Sequence, residues 1–107
     1  MINFEITASP SIGKKTELLQ SVDSIRNKIG KICDHFKVTA LDNGGYTFTF
    51  HFDSEEQAEK LFDSESFLLL TGAIKTLCDK TSYSINGKKI NFTKISSNHI
   101  SKTLINN

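Results

Sequence analysis

Apolar and polar residues alternate from the start of the chain. Ile2, Phe4 and Ile6 fall between Asn3, Glu5 and Thr7, the period-two pattern of a strand with one buried face. ASPSIGKK follows, with Pro10, Gly13 and two serines. It reads as a loop that delivers the chain to a helix at about Lys14. There the period changes: Leu18, Leu19, Val22, Ile25, Ile29, Ile32, Cys33 and Phe36 recur at spacings of three and four. That spacing predicts a helix of about five turns with one apolar stripe.

Alternation returns in FKVTALDNGGYTFTFHF, where Asp42, Asn43, Gly44 and Gly45 separate two β-rich runs. Those four residues tolerate the positive φ of a tight reversal, so the runs are expected to be antiparallel neighbours. In the second run Tyr46, Phe48, Phe50 and Phe52 share one face, and Thr47, Thr49 and His51 share the other. Ser54 followed by Gln57 is a capping-box pattern, with Glu55 and Glu56 in the first turn where the helix dipole favours negative charge. Ala58, Leu61 and Phe62 form the inner face of that helix. Asp63 and Ser64 then offer a second cap before Phe67, Leu69, Leu70, Ala73, Ile74, Leu77 and Cys78, so a short helix, a break and a longer helix are expected. TSYSINGKKINFTKI turns about Asn86 and Gly87, a hairpin signal. From Ser96 the chain is polar, with Ile100, Leu104 and Ile105 as its apolar anchors.

The expected order is strand, helix, strand, strand, helix, strand, plus one extra strand. With right-handed crossovers it gives an α+β domain, the ferredoxin-like βαββαβ arrangement, with an antiparallel sheet and its helices on one face. The domain is expected over 1–95, with a polar C-terminal tail at 96–107.

A chain of 107 residues suits one hydrophobic core. Thirteen Lys and Arg against twelve Asp and Glu leave +1, and the basic residues are spread from Lys14 to Lys102. That distribution argues against a nucleic-acid partner. The longest apolar run is Phe67 to Leu70, too short to span a bilayer, and MINFEITAS lacks the features of a signal peptide. No membrane partner and a cytoplasmic location are expected. Cys33 and Cys78 suit neither a metal knuckle nor a secreted disulfide framework, and no His, Cys and carboxylate cluster has metal spacing.

GKKTELLQSVDSI and YTFTFHFDSEEQAEKLFDSESFLLL resemble the antibiotic-biosynthesis monooxygenase-like family of dimeric α+β barrels. The shared features are Gly13 and Lys14 at the first helix, Phe52 and Ser54 at the end of an aromatic-rich strand, Ala58 near the start of the next helix, then Ser64 and Phe67. The resemblance runs roughly from Ile2 to Ile95. It implies a homodimer whose two sheets pack face to face, with a small pocket between sheet and helices in each subunit. It further implies cofactor-free oxidation of a quinol-like or polyketide-like aromatic, or heme breakdown in one branch. The family strand often ends in Trp, where this chain has Phe52. The heme-degrading branch uses an Asn on strand one and a His on helix two. The matching places here are Ile6 or Thr7, and Thr71, which argues against heme.

On this reading a small aromatic ligand would be lined by Tyr46, Phe48, Phe50, Phe52, Phe62, Phe67 and Tyr83. His51 is the candidate catalytic residue, since imidazole titrates near neutral pH and can shuttle a proton from an oxidised phenol. It is equally read as a polar interface side chain, because its parity opposes that of Phe50 and Phe52. His35 is expected at the C-terminal end of the first helix, where a cation meets the dipole favourably. His99 lies in the tail. Cys33 and Cys78 fall near helix C-termini, which do not activate a thiol. RNA-recognition modules share the element order, but they expose aromatics on the open sheet face, where this chain places Thr47, Thr49 and His51. A non-catalytic small-molecule-binding or protein-interaction domain on the same scaffold is the alternative function.

Overall fold

Five strands form one antiparallel sheet and three helices pack on it, as seen in a computed structural model that describes residues 2–33 and 35–90. In chain order the elements are β1 (Ile2–Pro10), α1 (Lys15–Gly30), β2 (His35–Ala40), β3 (Tyr46–Phe52), α2 (Glu55–Phe62), α3 (Glu65–Leu77), β4 (Cys78–Ile85) and β5 (Lys88–Ile90). The sheet order is β2-β3-β1-β4-β5, with every neighbouring pair antiparallel. This is the ferredoxin-like arrangement with β5 added at one edge.

The central strand β1 buries Ile2, Phe4, Ile6 and Ala8 on the side that β3 covers with Tyr46, Phe48, Phe50 and Phe52. The register pairs Phe4 with Phe50 and Ile6 with Phe48, so the two apolar faces coincide. The helices close over that face. α1 contributes Leu18, Val22, Ile25 and Ile29, α2 contributes Ala58, Leu61 and Phe62, and α3 contributes Phe67, Leu70 and Ile74. All belong to one continuous core.

The caps explain where α2 and α3 begin. Ser54 Oγ accepts from the Gln57 N–H at 3.2 Å, while Gln57 Oε1 accepts from the Asp53 N–H at 2.8 Å. The reciprocal bond of the box thus reaches one residue further back than the usual motif. Ser64 does two jobs in the break: its Oγ accepts from the Phe67 N–H at 3.1 Å and donates to the Leu61 carbonyl at 2.6 Å. At the β4–β5 turn Asn86 and Gly87 adopt φ of 50° and 81°, as a two-residue hairpin of matching twist requires. Asn86 also fastens the start of β1: its N–H donates to the Asn3 carbonyl, and its Oδ1 accepts from the Asn3 N–H, both at 2.7 Å.

Three boundaries depart from the sequence reading. Strand β1 continues through Pro10, with a register shift at Ser9 and Pro10 against β4. An irregularity there tolerates proline, which has no N–H for the ladder. Helix α1 ends at Gly30 rather than reaching Phe36; glycine is a poor helix former, and the chain turns there although the apolar spacing of three and four continues. His35 is accordingly not a helix C-terminal residue but the first residue of β2, and Phe36 and Val38 belong to the alternation of HFKVTA. The expected domain end at residue 95, the tail and His99 lie outside the described residues.

Candidate functional site

The side chains expected to line a pocket form an aromatic layer between sheet and helices. Phe4 lies at its centre, with ring centroids 5.6 Å from Phe50, 5.2 Å from Phe62, 6.1 Å from Phe67 and 6.4 Å from Tyr83. Phe62 and Phe67 stand edge to face at 4.9 Å, and Phe52 meets Phe62 at 5.9 Å. Offset and edge-on contacts are the favoured geometries of aromatic quadrupoles. Phe4, Phe48, Phe50 and Phe52 have no exposed surface, so these rings face one another rather than solvent. Tyr46 is buried at the far end of β3, paired with Ala8 on one side and Ala40 on the other.

Tyr83 stands at the edge of the layer. It is half-buried on β4, opposite Ile6, and its ring lies nearly parallel to that of Phe4. Burial pushes its phenol above the ordinary tyrosine range, with the nearby Cys78 adding to the effect, so the hydroxyl keeps its proton at neutral pH. The Cys78 thiol is likewise pushed up by burial and then by Asp79, which argues against a thiolate nucleophile. Thr71, at the place of the heme-degrading histidine in the resembled family, donates its hydroxyl to the carbonyls of Phe67 and Leu68 at 3.0 and 3.2 Å. It is turned back onto its own helix.

The second cluster lies on the opposite face of the sheet. His51 on β3 pairs with His35 on β2 and with Asn3 on β1, which places the three in one row across three strands. The two imidazoles meet edge to face with centroids 6.0 Å apart. Among the described residues His51 Nδ1 and Asn3 Oδ1 are buried and have no hydrogen-bond partner. The next row pairs Lys37, Thr49 and Glu5, where the Thr49 hydroxyl and Glu5 Oε2 are 3.5 Å apart. The row after it brings the Thr7 and Thr47 hydroxyls to 3.4 Å.

An open cleft of about 620 Å³ lies elsewhere, between the end of α1 and the start of β2, lined by Arg26, Asn27, Gly30, Lys31, His35 and Phe36. The Arg26 guanidinium sits 5.9 Å from the Phe36 ring centre and 3.5 Å from Asp23.

The structure therefore brings Phe50, Phe62, Phe67 and Tyr83 around Phe4 and places His51 on the far side of the sheet from them. The sequence reading did not include Phe4, Phe36, Asn3 or His35 in a site. Phe4 was legible as an inward member of an alternating strand, while Phe36 fitted both the helical stripe and the alternation that follows it. His35 and Asn3 needed the strand register, which sequence parity alone does not supply.

No family model matches this sequence, and no curated protein is similar enough to match it. Solved structures do match its fold. A protein from Nitrosomonas europaea, provisionally named an antibiotic biosynthesis monooxygenase, superposes with a TM-score of 0.72 at 11% identity, covering 81% of this chain and 97% of that one. A provisionally named antibiotic biosynthesis monooxygenase from Deinococcus radiodurans gives 0.70 at 19% identity, over 87% of this chain and 99% of that one. A conserved protein from Methanosarcina mazei Go1 gives 0.73 at 18% identity, over 82% and 92%. The fold expected from the resemblance is thus the fold observed; identities this low speak to fold alone.

Proposed function

We propose that this chain is a homodimeric α+β barrel that binds a small aromatic molecule at the Tyr83 edge of the aromatic layer and oxidises it with dioxygen, without a cofactor. The observation that carries this reading is Tyr83 itself: a protonated phenol at the rim of an apolar wall made by Phe4 and Phe67. Such a site suits a flat apolar ligand with one acceptor oxygen, the polar group fixing orientation while the wall supplies affinity. A quinol-like or anthrone-like substrate activates oxygen itself. In a polyketide-like anthrone a ring CH₂ becomes C=O, one atom of O₂ entering the product and the other leaving as water; a quinol is instead oxidised to the quinone while O₂ takes up its two electrons and two protons as hydrogen peroxide. Tyr83 would hold the substrate oxygen in place. His51 lies across the sheet from this edge and is not assigned to it.

Dimerisation through the open sheet face is part of the proposal. Thr7, Thr47, Thr49, Ser82 and Ser84 give that face short side chains, which lets a second sheet approach to about 10 Å. The proteins that share the fold support the oxidative reading through the names they carry.

One observation favours a second reading, a non-catalytic interaction domain. The Phe4, Phe48, Phe50 and Phe52 rings are fully enclosed by their neighbours, which leaves the ligand only the rim. Oxygen uptake with a panel of anthrones and hydroquinones, beside light scattering of the protein, separates the two. Uptake that falls on Tyr83→Phe supports the oxygenase. A protein that neither consumes oxygen nor is stabilised by any panel member fits the interaction domain.

A further inference from the structure

We propose that His35 and His51, with Asn3 beside them, hold a divalent transition-metal ion on the open face of the sheet. Sequence spacing hides this site, because its members come from three strands and are brought together only by pairing: His51 lies opposite His35 on one side and Asn3 on the other. The ring centroids are 6.0 Å apart. An ion about 2.1 Å from each ligating nitrogen lies about 3.2 Å from each ring centre, given the size of an imidazole, so two rings that share it stand about 5 to 6.4 Å apart. The observed separation falls within that range.

Two atoms at this place ask for a ligand. Among the described residues His51 Nδ1 and Asn3 Oδ1 are buried without hydrogen-bond partners, and a buried polar atom left so is costly. One is an imidazole nitrogen and the other an amide oxygen, and imidazole suits zinc, copper and nickel among the common ions. His35 is exposed, and its ring already meets that of His51 edge to face. The neighbouring row contributes Lys37, a cation, and Glu5, a carboxylate within reach of Thr49, to the surrounding charge. Among the described residues no three His, Cys, Asp or Glu side chains gather into a metal cluster. This is therefore a two-imidazole site with an amide at its side, and water would complete its coordination. The aromatic layer lies on the other face of the sheet, so the site does not depend on the ligand edge at Tyr83; in the face-to-face dimer proposed above it would lie between the two sheets.

The test is calorimetric titration of the tag-free full chain with Zn²⁺ and with Ni²⁺, repeated on His35→Gln, His51→Gln, His99→Gln and Asn3→Asp, each checked for native circular dichroism. The expected result is one ion per chain. His35→Gln and His51→Gln should each weaken binding at least about tenfold, since changes one shell further from a metal already cost that much. His99→Gln should leave it unchanged, and Asn3→Asp, which adds a charged oxygen, should tighten it. In ¹⁵N-edited spectra the ring signals of His35 and His51 should move together over the first equivalent of Zn²⁺. Because His35 is exposed, its variant keeps the fold, and the test does not hang on His51→Gln alone. The proposal is overturned if no saturable binding occurs up to ~1 mM ion, if His35→Gln binds as well as the parent, or if the stoichiometry is half an ion per chain.

Discussion

Phe36 and Phe50 provide the sharpest test of how the edge of the sheet is held. Phe50 is fully buried on β3, and Phe36 is its half-buried partner on the edge strand β2, with ring centroids 4.9 Å apart and planes inclined by 31°. Replacing Phe50 by Ala would remove about 3–5 kcal/mol, a large share of the 5–15 kcal/mol that is roughly the whole stability of such a domain. Leucine is the better probe, because it keeps an apolar side chain and costs about 1–2 kcal/mol at a core site. A cycle of Phe36→Leu, Phe50→Leu and the double variant isolates the ring–ring contact. Aromatic pairs of this geometry are worth about 0.5–1.5 kcal/mol beyond buried area, so the double variant should be less destabilised than the sum of the singles by that amount. The Arg26 guanidinium over Phe36 is lost in both arms that carry Phe36→Leu and cancels. Urea unfolding followed by circular dichroism supplies the midpoints, and an unchanged slope shows that the unfolded state is comparable. Additivity within about 0.3 kcal/mol would refute a specific contribution from the Phe36–Phe50 ring contact.

Ser64→Ala should cost more than Ser54→Ala. The first loses both a cap on Phe67 and a bond to the Leu61 carbonyl, about 1.5–3 kcal/mol together, and the second loses a single cap of about 1 kcal/mol; equal urea midpoints would contradict the double role of Ser64. Tyr83, whose phenol is raised by burial, holds its proton more tightly in the folded chain. Its contribution is complete below the unfolded pKa of about 10 and is lost as pH rises through the folded value. Relative to Tyr83→Phe, the parent should therefore lose melting temperature only on the alkaline side, and parallel profiles through that range would refute the assignment. Gly87→Ala, at φ 81°, should destabilise the β4–β5 hairpin by about 1 kcal/mol or more, read from amide exchange in β5. Cys78, its thiol raised by burial and Asp79, should react with a disulfide reagent at mildly alkaline pH more slowly than a model thiol; equal rates would show an open, unperturbed thiol.

The fold was legible because its two periods are clean. In β1 and β3 each apolar residue is inward and each polar one outward, and one face has to be buried, so parity alone sets the layer. The helix break at Asp63 and Ser64 was legible from cap chemistry. The end of α1 was not: Ile32, Cys33 and Phe36 continue a spacing of three and four in the sequence, yet Ile32 and Cys33 lie in the turn and Phe36 on a strand. All three still pack on the core. Their burial is thus compatible with two local structures.

The candidate sites divide along the same line. The aromatic layer was readable because burial follows from parity: Phe48, Phe50 and Phe52 face one way whatever strand they pair with. What parity cannot say is whether such rings leave a space or fill it, and the answer depends on Phe4 in the middle of them, 5.2 Å from Phe62 and 5.6 Å from Phe50. The histidine row depends on register rather than parity. His51 was legible as outward-facing, but what it faces is set by the count of residues through the Leu41–Gly45 loop and across the first crossover. Moving β2 by two residues would keep every side chain on its face and set Lys37 beside His51 in place of His35. A cation would then stand where the second imidazole stands. Among the described residues the register is held by the turn, closed by Leu41 N–H to the Gly45 carbonyl at 2.8 Å, and by core-face pairs such as the Phe36–Phe50 contact. The aromatic contact on one side of the sheet therefore fixes the imidazole pair on the other. Loosening it by Phe36→Leu should weaken any ion held by His35 and His51, although that residue touches neither ring.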